Sequence, residues 1–409
     1  MTILAHRIRL DPNNVQATWL ERCAGAARFA WNYGLARWNE LYAAGEKPSW
    51  QVINAELNAC KAEKFPWMLE LPWAIPNKAL SDLGSAFQHF FRRVKEKSRN
   101  PGRPRFKKRG RCNEGFAIEG RALVFDGRHV KIPKLGTVRL REPIRFPGKV
   151  VSARFTKRAG HWYVSAQVEI DETWSYPHRC ETQATVGVDL GVRDLAVLSD
   201  GTKVEAPRAL RRHEVKMRRL NKELSRRTKG GKNWNKTKAK LGRLHERIAN
   251  IREDVTHKLT TRLVHDFRWI GIEDLSVAGM ARTRLAKSVL DAALDEVGRQ
   301  LAYKAPLAGS EIVTADRWYP SSKTCSVCGT IYAGLKLGGR RWTCKGCGIE
   351  HDRDENAAEN LKNLAAAFAV TAHCQGSSGD RPAPVVKLPS GWEAGSRLVN
   401  QDHVGSSPA

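Results

Sequence analysis

Two Cys-x-x-Cys pairs, Cys325/Cys328 and Cys344/Cys347, lie fifteen residues apart, and an acidic run, Asp352-Arg353-Asp354-Glu355-Asn356, follows closely. Knuckles at that distance turn tightly enough to aim four thiolates at one ion, so a structural zinc ribbon is expected. A pair of disulfides would use the same residues. The start of the chain, Met1-Thr-Ile-Leu-Ala-His-Arg, lacks the apolar core of a signal peptide, so reduced thiols in a cytoplasm are expected instead.

Three carboxylates carry the other chemistry. Asp189 ends the apolar run Thr185-Val-Gly-Val, and Glu273 ends Trp269-Ile-Gly-Ile. Asp354 falls in the first turn of a helix that Asp352 can cap, with Glu355 in the third position of a capping box. Phosphodiester hydrolysis by paired magnesium ions needs acids converging from several elements; magnesium retains water, so three acids suffice. One ion would prepare the attacking water and the other would stabilise the leaving 3′-oxygen. Each acid also has a plainer reading. Asp189 before Leu190-Gly191 fits a turn, Asp274 competes with Glu273, and any acid at a helix start is favoured by the dipole. The order strand-acid, strand-acid, helix-acid is that of an RNase H-like nuclease.

The elements that must position these groups fall into three grammars. A short strand at His6–Leu10 precedes a helix capped by Asn13 or Asn14 and running through Trp38; Ser49 caps a second helix, Trp50–Lys61, and a third spans about Asn77–Lys97. Trp31, Phe87 and Phe90 are expected in a helical core rather than stacked on bases. From Phe116 to Ile170, alternating runs at Ala122–Phe125, His129–Ile132, Thr137–Arg141, Val150–Thr156 and Trp162–Glu169 predict a small antiparallel barrel. The strand at His6–Leu10 would complete it, making the helices an insertion. From Ala184 the acid-bearing strands alternate with helices. One helical stretch, Arg208–Val264, is broken at Lys229-Gly230-Gly231-Lys232. A helix at Lys287–Leu307, a strand at Glu311–Ala315 and the last helix follow. The tail is rich in Gly, Ser and Pro and is expected to be disordered.

The net charge is +28 with pI near 10.0, a field that favours a polyanion. It is concentrated: Pro76–Arg111 holds 12 Lys/Arg against two acids, and Arg208–Arg252 holds 17 against three. Two such stripes favour nucleic acid over a merely solvated face. A membrane surface is disfavoured because neither stripe has a sustained apolar face, and no run of about 18 apolar residues exists to span one.

Val188-Asp189-Leu-Gly191, Gly271-Ile-Glu273-Asp-Leu275, Tyr319-Pro-Ser-Ser-Lys-Thr-Cys325-Ser-x-Cys328-Gly329 and Asp352-Arg-Asp354-Glu-Asn356-Ala-Ala resemble the TnpB proteins of insertion sequences. So do Ala27-Arg28-Phe29-Ala-Trp31-Asn32 and Pro104-Arg-Phe106-Lys-Lys-Arg upstream. Those proteins are RNA-guided nucleases with a RuvC-type domain, related to type V CRISPR effectors. The resemblance implies that Asp189, Glu273 and Asp354 are catalytic acids binding Mg2+, that the four cysteines hold Zn2+, and that a helical recognition lobe within a β-barrel holds guide RNA. Pairing would then read the DNA sequence while protein reads an adjacent motif. Asn77, Lys78, Ser81, Arg105, Lys107, Lys108, Arg226, Arg227 and Lys229 are candidate nucleic-acid contacts, with capping and solvation as their plain alternatives.

The expected fold is thus α/β and multi-domain. A barrel takes 1–14 and 113–183, with the helical lobe at 15–112 between them. A RuvC-like nuclease domain takes 184–322 and 349–368, with the ribbon at 323–348 inserted and a tail at 369–409. The expected activity is magnesium-dependent, RNA-guided cutting of double-stranded DNA by a monomeric ribonucleoprotein of a mobile element, cytoplasmic and on the nucleoid. A DDE-type transposase, or an RNA-guided repressor that no longer cuts, are the rivals.

Overall fold

The structure, a computed structural model, describes residues 2–171, 174–335 and 338–374, the last three by backbone alone. The chain divides into two compact units, Met1–Trp174 and Ser175–Ala409, so the break falls before the expected boundary at Ala184.

In the first unit, strand β1 (Ile3–Asp11) leads to three helices, α1 (Asn14–Ala43), α2 (Trp50–Lys64) and α3 (Ala74–Lys95). Asn13 caps α1 in a full capping box with Gln16, and Ser49 caps α2. Six strands follow: β2 (Gly115–Glu119), β3 (Val124–Asp126), β4 (His129–Ile132), β5 (Gly136–Leu140), β6 (Gly148–Arg158) and β7 (His161–Ile170). They pair with β1 in one sheet of order β2-β6-β7-β1-β5-β4-β3. Because β1 sits between β7 and β5, antiparallel to both, the three helices enter between strands of a single sheet. Ala122 is in a 3-10 turn, so the expected strand at Ala122–Phe125 shifts to β3, and β2 is a strand the alternation did not reveal. Trp38 stacks on Phe87 at 4.2 Å, and both are buried with Trp31 in the core that joins helices to sheet.

In the second unit, β8 (Thr185–Leu190), β9 (Asp194–Leu198) and β10 (Lys203–Glu205) form an antiparallel meander. A helical hairpin, α4 (Ala209–Ser225) and α5 (Lys232–Asp266), precedes β11 (Trp269–Glu273). Then come α6 (Val277–Met280), α7 (Ala286–Ala292), α8 (Leu294–Ala308), β12 (Glu311–Ala315), the ribbon strands β13 (Arg341–Thr343) and β14 (Glu350–Asp352), and α9 (Arg353–Cys374). The sheet order is β10-β9-β8-β11-β12, with β8, β11 and β12 parallel. Apolar runs in β8 and β11 are what parallel strands covered on both faces require. The single helix expected at Lys287–Leu307 is two, because Ala293 adopts a left-handed conformation at φ 57°. Buried Asp291, at the end of α7, accepts from Leu210 N (2.8 Å) and Arg211 N (3.1 Å) and pairs with Arg252 (2.8 Å). That task fixes where α7 must stop. Helix α9 continues through residue 374, which moves the expected start of the tail from 369; residues 375–409 lie outside the described ones. Among the described residues no helix is long and apolar enough to cross a membrane.

Candidate active site and metal centre

Asp189 and Glu273 lie near the carboxyl ends of neighbouring parallel strands. Ile272 pairs with Val188, so Glu273 and Asp189 come one step further on, beside each other. Two residues earlier Gly271 pairs with Gly187, and by the period of two all four share one face of the sheet. Helix α9 lies on that face with no room to spare. A Cβ at Gly187 would come 1.8 Å from Ala358 O, and one at Gly271 would come 2.2 Å from Leu361 O. Ala357, Ala358, Leu361 and Ala365, all buried, are the residues α9 brings into its packing.

This contact places the third acid. Asp354 precedes Ala358 by one helical turn, a rise of about 6 Å, and Asp189 follows Gly187 by two strand residues, about 6.6 Å. The two steps match, so seating Ala358 on Gly187 brings Asp354 over the ends of β8 and β11. Asp352 Oδ1 accepts from the backbone N of Asp354 (3.0 Å) and Glu355 (3.3 Å), capping the helix and leaving the Asp354 carboxylate to the site. Glu355 is not the capping-box partner the sequence predicts; it pairs with Lys203 at 2.7 Å.

The electrostatics follow from this proximity. Asp189 is pushed well above the usual carboxylate range, first by burial and then by the negative charges of Glu273 and Asp354, with Arg353 opposing. Burial also raises Glu273, against a hydrogen bond from Ser321 and the charge of Arg353. Ser321, itself buried, donates its hydroxyl to Glu273, whereas Asp274 is taken up by Arg317 at 2.8 Å. Arg340 reaches Asp354 at 2.7 Å and Arg353 does so at 3.3 Å. Arg317 and Arg340 have no local sequence signature as site residues, and Ser321 stands only inside the Tyr319–Cys325 motif without a role; their partners are distant in the chain. Asn356 is legible only as part of the acidic motif, and Asn360, beyond that motif, is not singled out by it. Both are buried and donate to the carbonyls of Ser321 and Thr324, tying α9 to the chain entering the ribbon.

Among the described residues, Cys325, Cys328, Cys344 and Cys347 form the one group whose ligand atoms all lie within 4.8 Å of each other, and they could hold a metal ion. Sulfurs 3.5 Å (Cys328–Cys344) and 3.6 Å (Cys325–Cys347) apart approach the edge of a tetrahedron about 3.8 Å wide that Zn–S bonds of about 2.3 Å require. Thr330 holds the Cys328 thiol down to about 6, whereas Cys347, against a hydrogen bond from the Ile349 backbone, is pushed up to about 12 by desolvation and the neighbouring thiols, so a bound cation would have to draw the proton from Cys347. Trp342 stacks on Tyr332 and packs with Cys325 and Cys344 in the ribbon's small core. So small a core depends on its staple. Cys344→Ser is therefore expected to abolish metal retention by elemental analysis, to expose the ribbon to proteolysis at Lys345 and to loosen the start of α9 around Asp354. Full-length protein that is well folded and metal-free would overturn the metal centre.

Asp189, Glu273 and Asp354 are not a group whose ligand atoms all lie within 4.8 Å of one another. Their oxygen donors suit a hard cation.

The candidate nucleic-acid contacts divide. Arg105 and Lys108 are exposed, but Lys107 lies 3.6 Å over the Trp31 ring and burial lowers its pKa. Asn77, Lys78 and Ser81 are partly buried within α3, which starts earlier than expected, at Ala74, and Lys78 lies 3.7 Å from Asp82. Arg226 and Lys229 are exposed at the tip of the α4–α5 hairpin, whereas Arg227 pairs with Glu223 and bonds Asn233 O at 2.6 Å.

Family profiles match three stretches. OrfB_IS605, described as "Probable transposase", matches residues 165–284; a Cas12f1-like TNB domain matches 295–361; and a helix-turn-helix domain of OrfB_IS605 matches 1–47. In this chain residues 1–47 hold one strand and one 30-residue helix without a turn in it. The Escherichia coli (strain K12) protein "Putative RNA-guided DNA endonuclease InsQ" is 34% identical over 398 residues, 92% of this chain and 96% of its own. A Streptomyces pristinaespiralis protein described in the same words without the last is 34% identical over 375 residues, 90% of each. "CRISPR-associated endodeoxyribonuclease Cas12f1" of Sulfoacidibacillus thermotolerans is 26% identical over 247 residues, 53% of this chain and 57% of its own. Identity of 34% across 92% of its length, on top of the OrfB_IS605 match, places the chain in the TnpB (OrfB_IS605) family.

Proposed function

We propose that this chain is an RNA-guided DNA endonuclease of a mobile element, cutting with Asp189, Glu273 and Asp354. The observation that carries the reading is the seating of α9 on Gly187 and Gly271, which delivers a third acid to the ends of two acid-bearing parallel strands. The strand order, with one antiparallel strand beside the central parallel ones, supports an RNase H-like nuclease domain of the RuvC kind. The names of its relatives support RNA guidance. The seven-stranded sheet with its inserted helices is the proposed barrel and recognition lobe, for guide RNA and the motif beside the target.

The three carboxylates would hold magnesium, and zinc would fill the ribbon. Bound magnesium supplies Lewis-acid activation of water and stabilisation of the leaving oxygen. The chain's own groups prepare the rest. Ser321 fixes the rotamer of Glu273, and the Asp352 cap fixes the first turn that bears Asp354. Arg340, whose planar fork matches a phosphate, balances the acids and can meet the backbone of an entering strand.

The test is to recover nucleic acid with the purified protein, sequence it, and challenge the complex with matching DNA and magnesium. A discrete RNA and cuts beside a short motif are expected. RNA-free protein that joins DNA ends would favour a transposase, and guided binding without cutting would favour a repressor.

The hairpin tip allows a sharper check on RNA binding. Arg226→Gln with Lys229→Gln should flatten the salt dependence of binding by about 1.4 log units per log unit of salt, at about 0.7 per phosphate of a single strand. Arg227 is left intact because it holds the turn together. A slope identical to wild type removes this tip from the RNA surface.

A further inference from the structure

Beside the catalytic end of the sheet one large apolar side chain is turned fully outward. Trp318, in the loop from β12 to the ribbon, is 85% exposed, and its indole has no ring or cation partner among the described residues. Nothing about the loop is slack. Asp316 Oδ1 accepts from Trp318 N at 2.8 Å, and Asp316 O accepts from Tyr319 N at 2.9 Å. On one side Arg317 is ion-paired to Asp274; on the other Ser321 donates to Glu273 and its backbone N bonds Tyr319 O at 2.9 Å. The loop is thus fastened at both shoulders to Glu273 and Asp274, with Trp318 between. Ser321 follows Trp318 by three positions, so the Cα of Trp318 lies within about 11 Å of the serine that orients the catalytic glutamate. A rigid turn that holds an indole in water forgoes the favourable burial of its apolar surface unless a ligand covers it.

We propose that Trp318 is a stacking platform for one unpaired base of the DNA strand whose backbone enters the Asp189–Glu273–Asp354 centre. The proposal rests on the nuclease reading above. A strand presented singly to that centre has unstacked bases, and an aromatic face beside the scissile phosphate would replace a lost neighbour without reading sequence. A protein partner is the poorer occupant. Asp316 and Arg317 beside Trp318 are charged and exposed, and Tyr319 and Pro320 are partly buried, so the loop itself adds no exposed apolar side chain next to the ring.

The experiment uses the purified protein–guide complex and target DNA with single abasic sites walked through the region of the cut. In wild type, one position should lower cutting about tenfold, the loss of one base–aromatic stack. Trp318→Ala should lower cutting of intact DNA about tenfold and be indifferent to the abasic site at that same position, and Trp318→Phe should recover most of the loss. A second readout needs no cleavage. In the Asp189→Ala background, 2-aminopurine in a bound single strand should be quenched when Trp318 is present and bright when it is alanine. Wild-type cutting by Trp318→Ala overturns the proposal, and so does a loss that leaves every abasic penalty unchanged. A changed oligomeric state with an unchanged abasic profile overturns it too, by assigning the indole to a second copy. Should wild type cut no guided DNA, the nuclease reading falls, and the quenching experiment still decides whether Trp318 stacks on a base.

Discussion

Alanine in place of Asp189, Glu273 or Asp354 is expected to lower DNA cutting by about a thousandfold or more while leaving guide and target binding intact. Stabilisation of the transition state by bound cations amounts to several kcal/mol, and each 1.36 kcal/mol is a factor of ten. Binding should survive because, on the proposed reading, it rests chiefly on guide–target pairing and on basic side chains that these substitutions leave in place. Neutralising Asp189 should also make the metal-free protein more stable. Asp189 is held above the usual carboxylate range, so its charged form is disfavoured in the folded state. The unfolded chain loses this proton first as pH rises, and stability therefore declines across the window from the ordinary carboxylate pKa up to the raised one. Asp189→Asn removes that decline, and in chelator near neutral pH its melting temperature should exceed that of wild type. Cutting that persists in Asp354→Ala would show that the third acid is another residue. Asp352→Ala is the internal comparison: it loses a helix cap worth about 1 kcal/mol, so activity should drop only in part.

Adding one methyl group at Gly187 or Gly271 is the second large effect. At Gly187 the new carbon would meet Ala358 O at 1.8 Å and Lys362 N at 2.4 Å, and these are backbone atoms that no rotamer change can move aside. Helix α9 must lift from the sheet, carrying Asp354 with it. Overpacking of this kind costs about 1–3 kcal/mol, and a displaced catalytic group can cost about a hundredfold in rate. Gly187→Ala and Gly271→Ala should each lower the urea midpoint and cut poorly, and the double variant should be less than additive because one lift relieves both clashes. A Gly187→Ala protein with wild-type midpoint and activity would mean that α9 is not seated as described.

Much of this site was legible in the residues. Four cysteines at fixed spacing declare a shared ion because thiolate geometry is local, and the acids at strand ends follow from where apolar runs stop. The two glycines carried more than was taken from them. Gly187-Val-Asp189 and Gly271-Ile-Glu273 are the same pattern, and a lone glycine inside a strand signals a close backbone approach. What stayed hidden was long-range. Ser321 and Arg340 gain meaning only from carboxylates 48 and 14 residues away, and nothing beside them announces the partner. The break at Ala293 has neither glycine nor proline to mark it; tertiary demand on Asp291 overrides a sequence that would otherwise continue as helix.

The acids are not made at the same time. Asp354 follows Glu273 by 81 residues, so a ribosome adding about 5–20 residues per second completes Glu273 roughly 4–16 s before it reaches the third acid. During that interval the nascent chain already carries both basic stripes and two of three acids, yet it has nothing to lay across the glycines. Guide capture can therefore begin on an unarmed protein. On the proposed reading, the helix that brings the third acid to the other two is the last of the described elements to be synthesised.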